Sequence, residues 1–569
     1  MPRLLRRAPA ARPGSLVLVA LLLAAAAPAR ADAPVTVDSV PFAADTRECT
    51  GSFEMTPLPH YTRGPDEYVG FFESNGAGVA LADMDGDGLT DIVFAGLHGP
   101  TSLLWNEGGL LFRRGELTAE HTRAVNAVDV DGDGLLDLVF THSGGLPSWW
   151  RATPAEDAGR PAFVRKEDEE FRAWFPAYSI AWADLDSDGD LDLVGASYDA
   201  ELGALSDGMV VGGGVFYYAN DGSGLLTFER LGRRSHALAI RLTDLDGDGR
   251  RDILIGNDFA PPDDVFLNTP DGWTRAEPFS RTPTNTMSFA EGDVDNDGTP
   301  ELLATDMKPV ERNETVDAAW RPFWSDTAQL QPNDGVQVTA NVFFSLADNA
   351  AGERFADRAE EVGVDATGWS WSAQFGDLDN DGFLDLYVVN GMIAAEVFSH
   401  LPGDALIEEN QALRNTGAGR FAPAPEWGLN ATQSGRGMSF ADLDNDGDLD
   451  VVVNNLSAVS MLFENRLCTG AALEVELHWE GVPNRRAIGA KLLLHTASGA
   501  LSREMRASSG YLSSDPPRVH FGLGDPAAGG PSRLEVTWPD GAVSGIPAPQ
   551  PGHLLRVTRL LPARSNGSQ

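Results

Sequence analysis

The nonapeptide pattern DxDxDGxxD, with Glu301 as the last acid of the fifth copy, occurs seven times in this chain of 569 residues, beginning at Asp83, Asp129, Asp184, Asp244, Asp293, Asp377 and Asp442. Successive copies lie 46, 55, 60, 49, 84 and 65 residues apart. Each interval has room for one supersecondary unit, so the chain is a repeat array. Short alternating apolar segments lead into the loops, among them Val79 to Ala82, Ile180 to Ala183 and Met438 to Ala441, and more continuous ones follow, such as Ile92 to Phe94, Leu386 to Val389 and Val451 to Val453. The pattern reads strand, loop, strand. A third strand follows in every unit, with Asn106, Asn220, Asn268, Asn415 or Asn465 at or near its end in five. A fourth centres on Phe112, Phe163, Phe228, Trp273, Phe355 or Phe421 in six. Four antiparallel strands repeated seven times predict an all-β fold, a seven-bladed β-propeller. The seventh unit lacks its fourth strand, and Gly51 to Met55 is expected to supply it and close the ring.

The loops themselves predict metal. Aspartates at alternating positions of a tight turn aim hard oxygen ligands at one point. A main-chain carbonyl at position seven and a carboxylate at position nine complete a shell of 6 to 8 oxygens, which suits Ca²⁺ better than Mg²⁺. The expected ligands are Asp83, Asp85, Asp87 and Asp91 in the first loop, Asp129, Asp131, Asp133 and Asp137 in the second, and Asp184, Asp186, Asp188 and Asp192 in the third. They continue with Asp244, Asp246, Asp248 and Asp252, then Asp293, Asp295, Asp297 and Glu301, then Asp377, Asp379, Asp381 and Asp385, and end with Asp442, Asp444, Asp446 and Asp450. Up to seven structural calcium ions are expected. The closing acid stands at position nine instead of twelve and strands replace helices, which excludes an EF-hand.

The first 31 residues read as a secretory signal, with Arg3, Arg6, Arg7 and Arg12 ahead of an apolar run from Ser15 to Ala27 and a small-residue cleavage site at Ala29 to Ala31. No segment approaches the roughly 20 apolar residues of a membrane helix, and no cysteine follows the apolar run to carry a lipid. The mature chain is expected to be extracellular, periplasmic or cell-surface associated. Loss of five arginines takes the formal charge from −42 to −47. That excess argues against nucleic acid and anionic membrane as partners, and 30 of the 84 acids lie inside the seven loops.

The only two cysteines flank the expected closure. Cys468 lies three residues after Asn465 and Cys49 four before Phe53, so a Cys49–Cys468 disulfide would replace the missing turn of the last blade; two free thiols are the alternative. Residues 32–466 thus read as the propeller, with an insertion at 305–341 carrying Trp320, Phe323 and Trp324 that would be a lid, a partner surface or a structured loop. Residues 467–561 read as a separate all-β module, with strands near Leu473 to Trp479, Lys491 to His495, Arg503 to Ala507, Val519 to Phe521, Leu534 to Trp538 and Leu554 to Val557, and 562–569 as a tail. No HExxH, paired CxxC, GxSxG or Walker loop is present. His142, His236 and His400 are expected to be surface or packing residues. Trp149, Trp150, Trp320 and Trp324 fit either sugar stacking or blade packing.

With these elements in place, the chain resembles the FG-GAP/VCBS-repeat propellers, and most closely the bacterial relatives of the cartilage acidic protein family. Trp369-Ser370-Trp371 leading into Phe375-Gly376-Asp377, then Asn390-Gly391-Met392, carry the likeness in the propeller. Asn484 to Ala490, Gly510-Tyr511, His520 to Gly524 and Trp538 to Gly541 liken the last module to an ASPIC/UnbV domain, a small β-sandwich-like unit. The resemblance implies an integrin α-like extracellular propeller loaded with calcium, a binding or adhesion scaffold for a protein or glycan, with no established reaction. The alternative is an extracellular polysaccharide lyase or hydrolase with its site in the loops of one propeller face.

Overall fold

The computed structural model describes residues 33–43, 47–63, 68–154, 159–166, 175–205, 212–224, 227–259, 261–330, 336–346, 354–525, 527 and 529–560. The expected signal and tail lie outside them. The fold is all-β. The first loop joins the two inner strands of an antiparallel sheet, Val79–Ala82, Asp91–Phe94, Pro100–Asn106 and Phe112–Glu120. Five further sheets repeat the same order through the second to sixth loops. The sixth adds a short edge strand, Met307–Lys308, from the insertion. In the seventh sheet Gly435–Ala441, Asp450–Asn455 and Val459–Asn465 are completed by Phe53–Tyr61, which pairs Phe53 with Asn465 and Met55 with Phe463. The innermost strands touch in chain order, and the seventh returns to the first. This circuit is the architecture of a β-propeller.

The core lies between the sheets, which is why the strands are buried on both faces. Val79, Leu81, Ile92 and Phe94 of the first sheet pack against Ala441, Leu443, Val452 and Leu462 of the seventh. Ala290, Leu303 and Phe343 of the fifth meet Phe375, Leu386 and Val388 of the sixth. The six aromatics expected to centre the fourth strands all lie in them.

The C-terminal module is two four-stranded sheets packed face to face. One holds Lys491–His495, Ala500–Glu504, Arg533–Thr537 and Val543–Pro547. The other holds Ala471–Trp479, Arg518–Gly524, His553–Arg559 and the N-terminal strand Val35–Pro41, which pairs with His553–Arg559 along its whole length. Assignment of everything from residue 32 to the propeller is therefore corrected. The described residues begin in the module and only then cross to the seventh blade, because the unpaired edge of His553–Arg559 offers a ladder that the closed ring does not.

A second correction concerns Arg503 to Ala507. That strand is Ala500–Glu504, and the residues after it leave the sheet and enter the axial channel of the propeller. Ser514 bridges to Ala80 and Gly510 to Phe289. Leu81 N donates to Ser514 O (3.1 Å), Val125 N to Leu512 O (3.2 Å) and Tyr511 N to Ser372 Oγ (3.0 Å). The plug sits so close to the ring that a Cβ at Gly78 would lie 1.8 Å from Leu512 O; only glycine fits there.

The insertion is also resolved in character. Its helix, Glu314–Leu330, lays Trp320 (1% exposed) and Phe323 against Trp369 of the sixth blade, with ring centroids 5.6 and 4.9 Å apart.

Cys49 and Cys468 form a disulfide across 419 residues of chain. It holds the two ends of the closing blade where the other blades have a covalent turn. Chain-entropy bookkeeping gives about 6 kcal/mol for a loop of this size, an upper bound because unfolded chains retain structure. Non-reducing peptide mapping should recover one linked pair. Cys468→Ser should lower the melting temperature clearly while leaving the circular dichroism of the folded state unchanged; an unchanged melt would show that strand pairing alone closes the ring.

Candidate functional site: seven carboxylate loops under a capping module

Each loop is built the same way from its own backbone. The glycine at position six donates its N–H to Oδ2 of the first aspartate in all seven, at 2.8 to 3.2 Å: Gly88 to Asp83, Gly134 to Asp129, Gly189 to Asp184, Gly249 to Asp244, Gly298 to Asp293, Gly382 to Asp377 and Gly447 to Asp442. All seven glycines have positive φ, between 91° and 97°, which explains the invariance of that position. The position-five aspartates, Asp87, Asp133, Asp188, Asp248, Asp297, Asp381 and Asp446, each accept the N–H two residues on.

These bonds leave other oxygens facing inward. Oδ1 of Asp129, Asp184, Asp293 and Asp377 is buried without a hydrogen-bond partner, as is Oδ1 of Asp131 and Asp444 at position three. In the first five loops three acids each bring an oxygen within 4.8 Å of one another. Burial, reinforced by the neighbouring carboxylates, pushes Asp129 up to about 7, Asp184 and Asp293 to about 6 and Asp377 to about 8, against the opposing pull of the glycine N–H. Buried, mutually repelling oxygens at one focus have the chemistry that suits a hard divalent cation.

The ninth position does more than the sequence reading gave it. Asp91 Oδ2 accepts Met84 N and its Oδ1 accepts Asn106 N, at 3.0 and 2.8 Å. Asp137, Asp192, Asp252, Asp385 and Asp450 repeat both bonds, and Glu301 repeats the first through Val294 N. The acid thus clasps its own loop to the third strand. The asparagine at that strand's end then reaches the preceding blade. Asn106 Nδ2 donates to Leu443 O, Asn220 to Val130 O, Asn268 to Leu185 O, Asn415 to Val294 O and Asn465 to Leu378 O, all at 2.7 to 2.9 Å. This is why asparagine recurs there. Burial, with the loop carboxylates adding to it, raises Asp91 and Glu301 to about 8 and Asp137 and Asp192 to about 7, and holds Asp385 and Asp450 well above the carboxylate range.

Arginines from outside several loops hold the outward oxygens of the third and fifth acids, a feature the sequence reading missed. Arg160 pairs with Asp85, Arg151 with Asp131 and Asp133, Arg414 with Asp379 and Asp381, and Arg47 with Asp444 and Asp446. Arg151 and Arg414 sit in third strands, so an arginine late in that strand is the signal that marks them.

The module sits on this loop face. Asn484 N donates to Gly189 O (3.0 Å), Gly524 N to Asn380 O (2.7 Å) and Thr469 Oγ1 to Asp379 O (2.7 Å); His520 Nε2 is bonded to Gly447 O (3.0 Å). A cavity of about 450 Å³ remains between the two, with Asp244, Asp293, Asp377, Arg251, Arg503 and Arg518 in its walls.

Three of the four tryptophans offered for sugar stacking, Trp149, Trp150 and Trp320, are packing residues instead, while Trp324 is half-buried with the Arg312 guanidinium over its ring. Trp149 is 3% exposed and donates to Asp137 Oδ2 at 2.8 Å, and Trp150 is 7% exposed. His142 bridges Glu120 O and Ser148 Oγ, and His400 contacts Ala319 O.

Comparison with known proteins agrees with this construction. Residues 83–140, 244–304 and 396–453 match the FG-GAP-like repeat, and residues 481–560 match the domain described as ASPIC and UnbV. Cartilage acidic protein 1 of Homo sapiens is 33% identical over 181 residues, which are 29% of this chain and 24% of that protein. The Xenopus tropicalis protein is 36% identical over 118 residues, covering 19% and 17%. The match therefore spans about a quarter or less of these relatives. Among solved structures, a rhamnogalacturonan lyase of Bacillus licheniformis aligns with a TM-score of 0.36 at 14% identity, over 73% of this chain and 76% of that one. The chain thus carries FG-GAP-like repeats followed by an ASPIC and UnbV domain, and is similar in part to cartilage acidic protein 1.

Proposed function

We propose that this chain is an exported, calcium-loaded scaffold that binds another protein through the propeller face opposite its loops. The observation that carries the calcium reading is the set of inward, buried oxygens on Asp129, Asp184, Asp293 and Asp377 that no protein group satisfies. The acids at positions one, three and five and the position-seven carbonyl would hold the ion, with the acid at position nine beside them. Bound calcium supplies electrostatic stabilisation of the loop. Magnesium, smaller and slow to shed water, fits such a shell poorly. The Cys49–Cys468 disulfide supports export, since such bonds persist in oxidising compartments. Among the described residues no helix is long and apolar enough to cross a membrane.

The choice of face follows from what the loop face already carries. The module caps it and the plug fills its channel, whereas the strand connections at the other end expose Tyr68, Leu146, Leu205 and Ile407, between 51% and 68%. With Trp149, Trp150 and Trp320 committed to packing, these mainly aliphatic groups suit a protein better than a sugar ring.

If free calcium exceeds the dissociation constant tenfold, each site contributes about 1.4 kcal/mol. Chelation should therefore lower the melting temperature by many degrees, with calcium restoring it more fully than magnesium. In chelator the raised carboxylate pKa values mean that the folded state binds more protons than the unfolded one, so stability is present at low pH and lost as pH rises through about 4 to 8. The chelated protein should melt lower at pH 8 than at pH 5, and calcium should flatten that slope. A melt indifferent to chelator at both pH values would contradict the calcium reading.

The binding reading is tested on an array of secreted proteins and glycans. A protein ligand should emerge, and Leu205→Asp with Ile407→Asp should lose it while the melting curve stays unchanged. Glycan binding alone, or new reducing ends or unsaturated products from a polysaccharide panel, would overturn it.

A further inference from the structure

The fourth position of the loops divides them into two sets. It is glycine in the first, second and fourth loops (Gly86, Gly132, Gly247) and Ser187 in the third, but asparagine in the last three: Asn296, Asn380 and Asn445. All seven residues adopt positive φ, the asparagines at 58°, 55° and 59°. The backbone demand is therefore the same everywhere, and glycine meets it with less strain. What asparagine adds is a side chain that reaches the following loop. Asn296 Nδ2 donates to Gly382 O of the sixth loop (3.1 Å), Asn380 Nδ2 to Asp448 Oδ1 of the seventh (2.6 Å), and Asn445 Nδ2 to Gly88 O of the first (3.1 Å). Each partner is an acceptor, which fixes the amide orientation.

Two of the contacted residues are the glycines that hold the first carboxylate of the receiving loop. Gly382 N is bonded to Asp377 Oδ2 and Gly88 N to Asp83 Oδ2. The donating asparagine lies between two expected ligands of its own loop, Asp295 and Asp297 in the fifth and Asp444 and Asp446 in the seventh. The module grips the same relay, through Gly524 N to Asn380 O and Arg518 Nη1 to Asn445 Oδ1 (3.1 Å).

We propose that Asn296, Asn380 and Asn445 are positioning residues that couple the fifth, sixth, seventh and first loops into one cooperative calcium array, while the second, third and fourth loops fill independently. The inference rests on the calcium reading above. Fixing one loop around an ion orders its position-four residue, which presents the next loop in its binding geometry. Coupling of this kind is reciprocal, and typical values are about 5-fold to 150-fold in affinity.

The test is a calcium isotherm of the full chain by titration calorimetry against a competing chelator. Wild type should show a steep phase of four ions and a non-cooperative phase of three. Asn380→Gly installs the residue that three other loops carry at this position, so the turn is preserved. It should leave the total at seven ions, flatten the steep phase and weaken the coupled sites by about 5-fold or more. Asn296→Gly, at the start of the relay, should release only the fifth loop and leave a cooperative set of three. Independent sites in wild type, or isotherms unchanged in both variants, would overturn the proposal while leaving calcium binding intact. Absence of calcium binding altogether would instead remove the reading on which it rests.

Discussion

The ninth carboxylate of each loop is the interaction on which the rest of the molecule depends. Asp91 and the five other aspartates at this position accept one backbone N–H from their own loop and another from the third strand of the same blade, and in five blades the asparagine at that strand's end carries the connection to the blade before. A buried charge is normally a liability, and here two main-chain donors hold each of the six aspartates in place and one holds Glu301. The blade's sheet, the loop's curvature and the contact between neighbouring blades are fixed by the same side chain. The loops are thus structural joints as well as carboxylate clusters, and a change at position nine damages the ring whether or not an ion is bound.

Electrostatics then explain where the module goes. The loop face concentrates carboxylates, and the module meets it with arginines. Arg485 acts on Asp129, Arg503 on Asp293 and Asp377, and Arg518 on Asp442, each pulling the carboxylate pKa down against burial or being itself held charged by the acids. Arg518 is clamped in turn by Glu474 and Glu476 of the module. The cap is held by charge at its rim and by the plug, with Tyr511 at its centre and hydroxyl to hydroxyl with Tyr178 at 2.6 Å.

Local features of the chain were legible from its letters because each is set by residues close in sequence. Strand, loop, strand follows from alternation and turn chemistry, so every loop and every inner strand could be placed. The closing strand and the disulfide followed because a ring with one strand missing has a single gap to fill. Features set by distant packing were not legible. Nothing local in Val35–Pro41 ties it to residue 559. Val543–Pro547 is absent from the expected strands because its glycine and proline interrupt the alternation. The plug is invisible because Ser508 to Asp515 has the composition of an ordinary loop. Trp149 and Trp320 were ambiguous for the same reason, since an aromatic that packs and one that binds look alike without their neighbours. The asparagines at position four were in plain view, yet their role depends on a loop about 65 to 84 residues ahead or, for Asn445, at the start of the ring.

The claim that most of this account depends on is that seven loops of one design hold seven calcium ions. Native mass spectrometry of the folded chain, exchanged into volatile buffer with micromolar calcium, counts them directly. Seven bound ions, falling by one when Asp379→Ala removes a ligand from the sixth loop, is the predicted result. A folded chain that carries no calcium, or no more than two or three ions with the same count in the variant, would contradict it and leave the loops as acidic joints alone.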